Sequence, residues 1–160
     1  MEKRNNSNMI SSYPIYKQSP DHCGAANLRG IFHYWTGKDY GEKTFSELTK
    51  TKESEGCGLE EMVNASEQMG FLTKKIEKNG TIDMLRYFFN MNIPPIICYT
   101  DPIYEEDHWA TVLGINHSIT LADTNLPGTR KFRIDDFYNL WSLSKEKYCL
   151  NNTLIIIPKQ

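Results

Sequence analysis

Gln18-Ser19-Pro20-Asp21-His22-Cys23-Gly24-Ala25-Ala26-Asn27-Leu28 is the stretch on which the reading of this chain turns. Its second half opens a helix. Ala25, Leu28, Ile31, Phe32 and Trp35 recur at helical spacing from Gly24 to Trp35, and Gly37 is a natural stop. Cys23 therefore falls at the first turn. A thiol there meets the positive end of the helix dipole and unpaired backbone N–H groups, and both favour the nucleophilic thiolate. Gly24 and Ala25 keep that end narrow, which leaves room for a substrate backbone. The plainer reading of an isolated cysteine is a small core residue, the commoner fate of this side chain.

Two further segments bear on that choice. In Asp107-His108-Trp109-Ala110-Thr111-Val112-Leu113-Gly114 a histidine opens a strongly apolar strand. It stands where the sheet ends and a crevice can form, and its pKa lies near neutrality, as a general base requires. Asp123 ends the next strand, Ile119–Asp123, beyond the turn Asn116-His117-Ser118. Antiparallel pairing across that turn, with a bulge or stagger, brings the start of one strand near the end of the other. A carboxylate there orients an imidazole and stabilises its cation. Taken alone, the histidine reads as a solvated loop residue and the aspartate as a common turn residue. Together, cysteine, histidine and carboxylate follow the logic of thiol nucleophilic catalysis.

The order of these segments resembles the papain-like cysteine peptidases that process double-glycine bacteriocin leaders, and their stand-alone relatives. Gln18 precedes Cys23-Gly24-Ala25-Ala26-Asn27-Leu28. Gly56-Cys57-Gly58-Leu59 leads into a helix ending Met69-Gly70-Phe71. Pro94-Pro95-Ile96-Ile97 opens a strand, His108 through Gly114 follows, then Asp123, and Gly128, Phe137 and Trp141 close the pattern. The likeness spans Ile15 to Trp141. It implies Cys23 as nucleophile, His108 as general base and acid, Asp123 as the residue orienting His108, and Gln18 as a side-chain donor to the oxyanion beside the Cys23 N–H. It also implies a peptide or protein substrate and allows a separate transporter partner. Two features depart from the pattern. Gln18 lies five residues before Cys23 rather than six. The usual Asp-Pro is Asp123-Thr124 here, a change expected to matter little because proline carries no proton chemistry. The same triad also serves transferases and amidases of this fold, and some relatives are non-catalytic peptide-binding modules.

Composition bounds the rest. The 160 residues are 39% hydrophobic and 24% charged with a net charge of −2, which suits one globular domain over residues 13–160. No basic excess points to nucleic acid, no apolar run approaches a membrane span, and no G-x-x-x-x-G-K-[ST] loop occurs. Residues 1–12, rich in asparagine and serine, read as a disordered lead-in. Without a signal-peptide core the chain is expected in the cytoplasm, with its four cysteines (Cys23, Cys57, Cys98, Cys149) reduced. No cysteine pair has metal-ligand spacing, so neither metal nor cofactor is expected. Cys57, Cys98 and Cys149 are expected to be bystanders, His33 structural, His22 and His117 outside the chemistry, and the Glu105-Glu106-Asp107 run able to attract a basic peptide. Further helices are expected at 44–50, 59–69, 79–89 and 135–140, and strands at 72–76, 96–99, 109–115, 119–123, 131–134 and 154–158. Helices thus come first and sheet second, an α+β papain-like fold with its helices packed on a C-terminal antiparallel sheet.

Overall fold

The computed structural model describes residues 9–143 and 151–160. Three helices open the chain, α1 (Cys23–Thr36), α2 (Glu42–Leu48) and α3 (Leu59–Gln68). Then come β1 (Lys74–Ile76), α4 (Ile82–Asn90), β2 (Ile96–Asp101), β3 (Glu106–Ile115), β4 (Ser118–Asp123), β5 (Gly128–Arg133), α5 (Ile134–Ser142) and β6 (Leu154–Ile156). The strands form one six-stranded sheet in the order β1-β6-β2-β3-β4-β5, antiparallel throughout. The α+β class expected from sequence is the class observed.

Local chemistry sets the element ends. Gly37 takes a left-handed φ of 72° past the end of α1, and its N–H donates to the His33 carbonyl at 2.8 Å. The Thr81 side chain caps α4 by accepting from the Met84 N–H. Pro94-Pro95 delays regular structure until β2 begins. Asp135 and Asp136 occupy the first turn of α5, where the helix dipole favours acids.

The sheet divides two apolar cores, because successive side chains on a strand face opposite ways. On one side Ile96, Cys98, Trp109, Leu113, Ile155 and Ile157 pack with Leu28, Ile31 and Phe32 of α1, Phe45 of α2 and Met62 of α3. On the other, Ile97, Tyr99, Ala110, Val112, Leu121, Leu154 and Ile156 pack with Leu85 of α4 and with Phe137 and Trp141 of α5. Burial on both faces explains why β3 reads as a continuous apolar run.

Several details differ from the sequence expectation. β3 begins at Glu106, so His108 lies within the strand and is paired with Tyr99 of β2. Met9 bridges to Gly114, and the Ile10 N–H donates to the Leu113 carbonyl at 2.7 Å. The lead-in expected to reach residue 12 is therefore tied to β3 from Met9 onward. Cys98 is disulfide-bonded, against the expectation of four reduced thiols. Cys149 lies outside the described residues. Among the described residues, no helix is long and apolar enough to cross a membrane.

Candidate active site

Cys23 is the first residue of α1. The chain reaches it through a tight turn in which the His22 N–H donates to the Ser19 carbonyl at 3.1 Å. Pro20 and Asp21 are the central residues, and Asp21 has a left-handed φ of 63°. Proline followed by a positive-φ residue is the signature of a type II turn, and aspartate tolerates that conformation better than most side chains. The Asp21 carboxylate accepts the Ser54 N–H at 2.9 Å, which ties the turn to the α2–α3 connection. His22 donates through Nδ1 to the Pro20 carbonyl, and its ring is not part of the cavity wall at Cys23.

Asn27, one turn further along α1, fixes where that helix end sits on the sheet. It is 1% exposed. Its Nδ2 donates to the Cys23 carbonyl and to the Trp109 carbonyl, both at 2.8 Å, while its Oδ1 accepts the Thr111 hydroxyl at 2.7 Å. The Tyr13 hydroxyl adds a bond to the Asn27 carbonyl at 3.2 Å. One buried amide thus joins the Cys23 turn to the strand that carries His108. Gly24 lies between them in chain order and serves a purpose the sequence reading did not foresee. A Cβ there would lie 2.3 Å from Cys57 Sγ and 2.8 Å from Met62 Sδ. The small residue is needed for packing against α3 and its entry loop.

The Cys23 thiol and the His108 imidazole are neighbours, close enough that each shifts the titration of the other. Burial alone would push the Cys23 thiol up. The charge and hydrogen bond of His108, with the backbone N–H groups of Trp109 and Gly24, outweigh it and hold the thiol below its ordinary range. The imidazole is the mirror case. Burial disfavours its cation, but the Cys23 charge and hydrogen bond, then the charges of Asp101 and Asp123, raise it above its ordinary value. The second free thiol behaves oppositely. Cys57 is buried, and that burial, with the Cys23 charge beside it, pushes its thiol up to about 12. At neutral pH it is a protonated, unreactive group.

Cys23 and His108 open onto a cavity of about 620 Å³ whose wall also includes Gln18, Asp101, Tyr104, Trp109 and Asn125. Among the described residues, no group of three histidine, cysteine, aspartate or glutamate side chains stands ready to hold a metal ion.

The family model of the peptidase C39 family matches residues 11–146. The chain belongs to that family. It is accordingly a cysteine peptidase. Solved structures share the fold. The peptidase domain of Streptococcus ComA, a bifunctional ABC transporter involved in a quorum-sensing pathway, is 22% identical with a TM-score of 0.73 over 92% of this chain and 99% of that one. A chain from Bacillus anthracis described as C39-like is 12% identical, with a TM-score of 0.76 over 95% and 97%. The peptidase domain of Streptococcus mutans ComA is 17% identical, with a TM-score of 0.60 over 91% and 99%. Among curated proteins, none matches the chain.

Within this C39 peptidase the other expected residues lie around the Cys23–His108 pair in unequal ways. Gln18 lines the cavity, and its backbone N–H donates to the Thr124 carbonyl at 2.8 Å. Asp123 ends β4 as expected. β3 and β4 pair at Val112 and Leu121, with a bulge between Val112 and Gly114. Asp123 is 8% exposed. Its Oδ1 accepts the N–H groups of Asn125 at 2.9 Å and Leu126 at 3.3 Å, so it closes the turn after β4. It acts on His108 through charge.

Two residues of this neighbourhood escaped the sequence reading. Asp101 ends β2, is 1% exposed and forms an ion pair with Arg130 of β5. The Arg130 Nε lies 3.8 Å from Asp123 Oδ2, so one guanidinium stands between both carboxylates. Asp101 also accepts from the Tyr99 hydroxyl at 3.5 Å and from the Ile103 N–H at 2.8 Å. The Tyr99 ring meets the His108 ring edge-on at 6.0 Å between centroids. The only signal available in sequence was the aspartate at the end of an apolar strand. The remaining histidines behave as expected. His33 is hydrogen-bonded to the Tyr16 hydroxyl and stacked on its ring, and His117 lies exposed in its turn.

Proposed function

We propose that this chain hydrolyses a peptide bond through a thioester on Cys23, with His108 as proton carrier, Asp123 supporting the imidazolium and Gln18 a donor to the oxyanion. The observation that carries the reading is that Cys23 and His108 face the same cavity as neighbours, with the thiol lowered and the imidazole raised by each other. The shifts run in the directions an ion pair requires, thiolate beside imidazolium.

The steps follow from that charge state. The thiolate attacks the scissile carbonyl carbon, and the carbonyl electron pair moves onto oxygen. Backbone N–H groups at the helix start and the Gln18 amide stabilise that oxyanion most as its charge develops. The oxyanion collapses, the C–N bond breaks, and His108 gives its proton to the departing amine. Neutral His108 then takes a proton from water, hydroxide attacks the thioester, and the acid leaves with Cys23 restored as thiolate. Asp123 carries charge that favours the imidazolium in both halves of the cycle. The substrate is a peptide or protein segment. The acidic residues around the cavity, Asp21, Glu55, Glu105, Glu106 and Asp107, favour a cationic one.

Cys23→Ala tests the nucleophile. Peptide hydrolysis is expected to vanish while the folded circular-dichroism spectrum and melting temperature stay near those of the parent. Retained turnover overturns the assignment. Weighing the products formed with an added thiol acceptor separates hydrolysis from acyl transfer.

A further inference from the structure

Gln18 sits in the cavity wall, but a primary amide has two ends and only one of them donates. For Gln18 to serve an oxyanion, its Nε2 must face the cavity and its Oε1 must be held elsewhere. Thr124 supplies that hold. Its hydroxyl donates to Gln18 Oε1 at 2.6 Å, and its carbonyl accepts the Gln18 N–H at 2.8 Å. Thr124 is 1% exposed, so the hydroxyl is held in place by packing and does not rotate in water. Its neighbour Asp123 closes the turn through the Asn125 and Leu126 N–H groups, which fixes the backbone that carries it.

We propose that Thr124 is the positioning residue for the oxyanion donor: its hydroxyl occupies Gln18 Oε1 and thereby presents Nε2 to the cavity. The inference rests on the reading of Gln18 given above and adds to it the group that decides which end of the amide faces substrate. It also gives a role to a departure from the family pattern. A proline at position 124 would offer no hydroxyl, so the threonine is not a neutral replacement here. The short approach through Ser19-Pro20-Asp21-His22 places Gln18 five residues before Cys23, and the paired backbone and side-chain bonds to Thr124 anchor it at that distance.

Two small probes separate this role from a structural one. p-Nitrophenyl acetate acylates a thiol through a tetrahedral oxyanion, whereas iodoacetamide alkylates it by displacement with no oxyanion at all. Thr124→Val keeps the size, and the backbone bond to Gln18, and removes only the hydroxyl. It is expected to slow acylation by roughly tenfold, a fraction of the ~10²–10³-fold that losing a whole oxyanion donor costs, while the iodoacetamide rate stays within about twofold. Thr124→Ser restores acylation. Gln18→Ala slows acylation at least as much, and adding Thr124→Val to it changes nothing further, as expected for residues acting as a unit. Gln18→Glu, which keeps an acceptor for Thr124 but offers no donor to the cavity, loses as much as Gln18→Ala. The proposal is overturned if Thr124→Val acylates like the parent, if both probes slow together, or if its effect persists in the Gln18→Ala background. A parent-like acylation burst from Cys23→Ala would instead refute the nucleophile, and the proposal with it.

Discussion

Asn27→Asp is the most exacting test of how the site is held together. The substitution keeps the shape of the side chain and replaces the Nδ2 that bonds both the Cys23 and the Trp109 carbonyls at 2.8 Å. An ionised carboxylate would place an oxygen against two carbonyl oxygens in a position that is 1% exposed. The variant side chain must therefore hold a proton in the folded state. Keeping a carboxyl protonated at pH 7, against an ordinary value of ~3.9, costs about 4 kcal/mol at ~1.4 kcal/mol per unit. A protonated acid has one O–H for two carbonyls, and the acceptor left alone adds about 1–3 kcal/mol. The sum is comparable to the whole stability of a domain, about 5–15 kcal/mol.

The sign of the pH dependence follows. The variant carboxyl has a folded pKa above its unfolded one, so the folded state holds the proton and the unfolded state releases it. The penalty therefore shrinks as pH falls toward the unfolded value. Between pH 7 and pH 5 the stability deficit relative to the parent should close by about 2.5 kcal/mol. Urea unfolding of both proteins at the two pH values measures it. Asn27→Leu is the control, uncharged, with a deficit independent of pH. A deficit for Asn27→Asp below about 2 kcal/mol at pH 7, or one equal at both pH values, would refute the claim that this amide joins α1 to β3.

Three further outcomes follow from the charges at the site. His108→Ala removes the group that holds the Cys23 thiol low, so iodoacetamide labelling at pH 6 should fall roughly 10–100-fold, since an ordinary thiol near 8.5 is only ~0.3% thiolate there. Parallel labelling profiles from pH 5 to pH 9 would contradict the ion pair. Arg130→Met leaves the buried Asp101 carboxylate without its cation and should cost about 3 kcal/mol in urea unfolding. Adding Asp101→Asn should recover most of that loss, and a single-variant effect under about 1 kcal/mol would show the pair to be inert. A peptide with lysine near the scissile bond should be cleaved with kcat/KM roughly tenfold above its glutamate counterpart, with the preference shrinking as salt screens the acidic cavity wall. Equal rates at low salt would remove the acidic wall from specificity.

What could be read in the sequence was what local physics fixes. The period of Ala25, Leu28, Ile31 and Phe32 put Cys23 at a helix start, and the structure begins α1 at that residue. The apolar run after His108 marked a strand, and its burial on both faces accounts for that run. Asn27 was different. A polar residue between Ala26 and Leu28 on a buried helix was visible, but its partners Trp109 and Thr111 lie on a strand far along the chain, and periodicity within one element says nothing about them. The packing demand on Gly24 was hidden for the same reason, because its neighbours Cys57 and Met62 lie elsewhere in the chain. Thr124 was set aside because the proline it replaces carries no proton chemistry, and its use here is a hydrogen bond to Gln18 across the fold.

The Asp101–Arg130–Asp123 cluster shows why a single orienting carboxylate is too simple a description of this site. Both aspartates raise the His108 imidazole, with Asp101 acting more strongly than Asp123. Two unscreened carboxylates would favour the imidazolium so far that its proton would be hard to surrender to the leaving amine. A general acid works best when its pKa lies near the working pH. Arg130 stands against both carboxylates, so the two acids and one guanidinium present one net negative charge. In the proposed cycle, a single net negative charge would support the imidazolium less strongly than two bare carboxylates and so ease release of its proton. The arginine would bear on His108 only through the two carboxylates it pairs with.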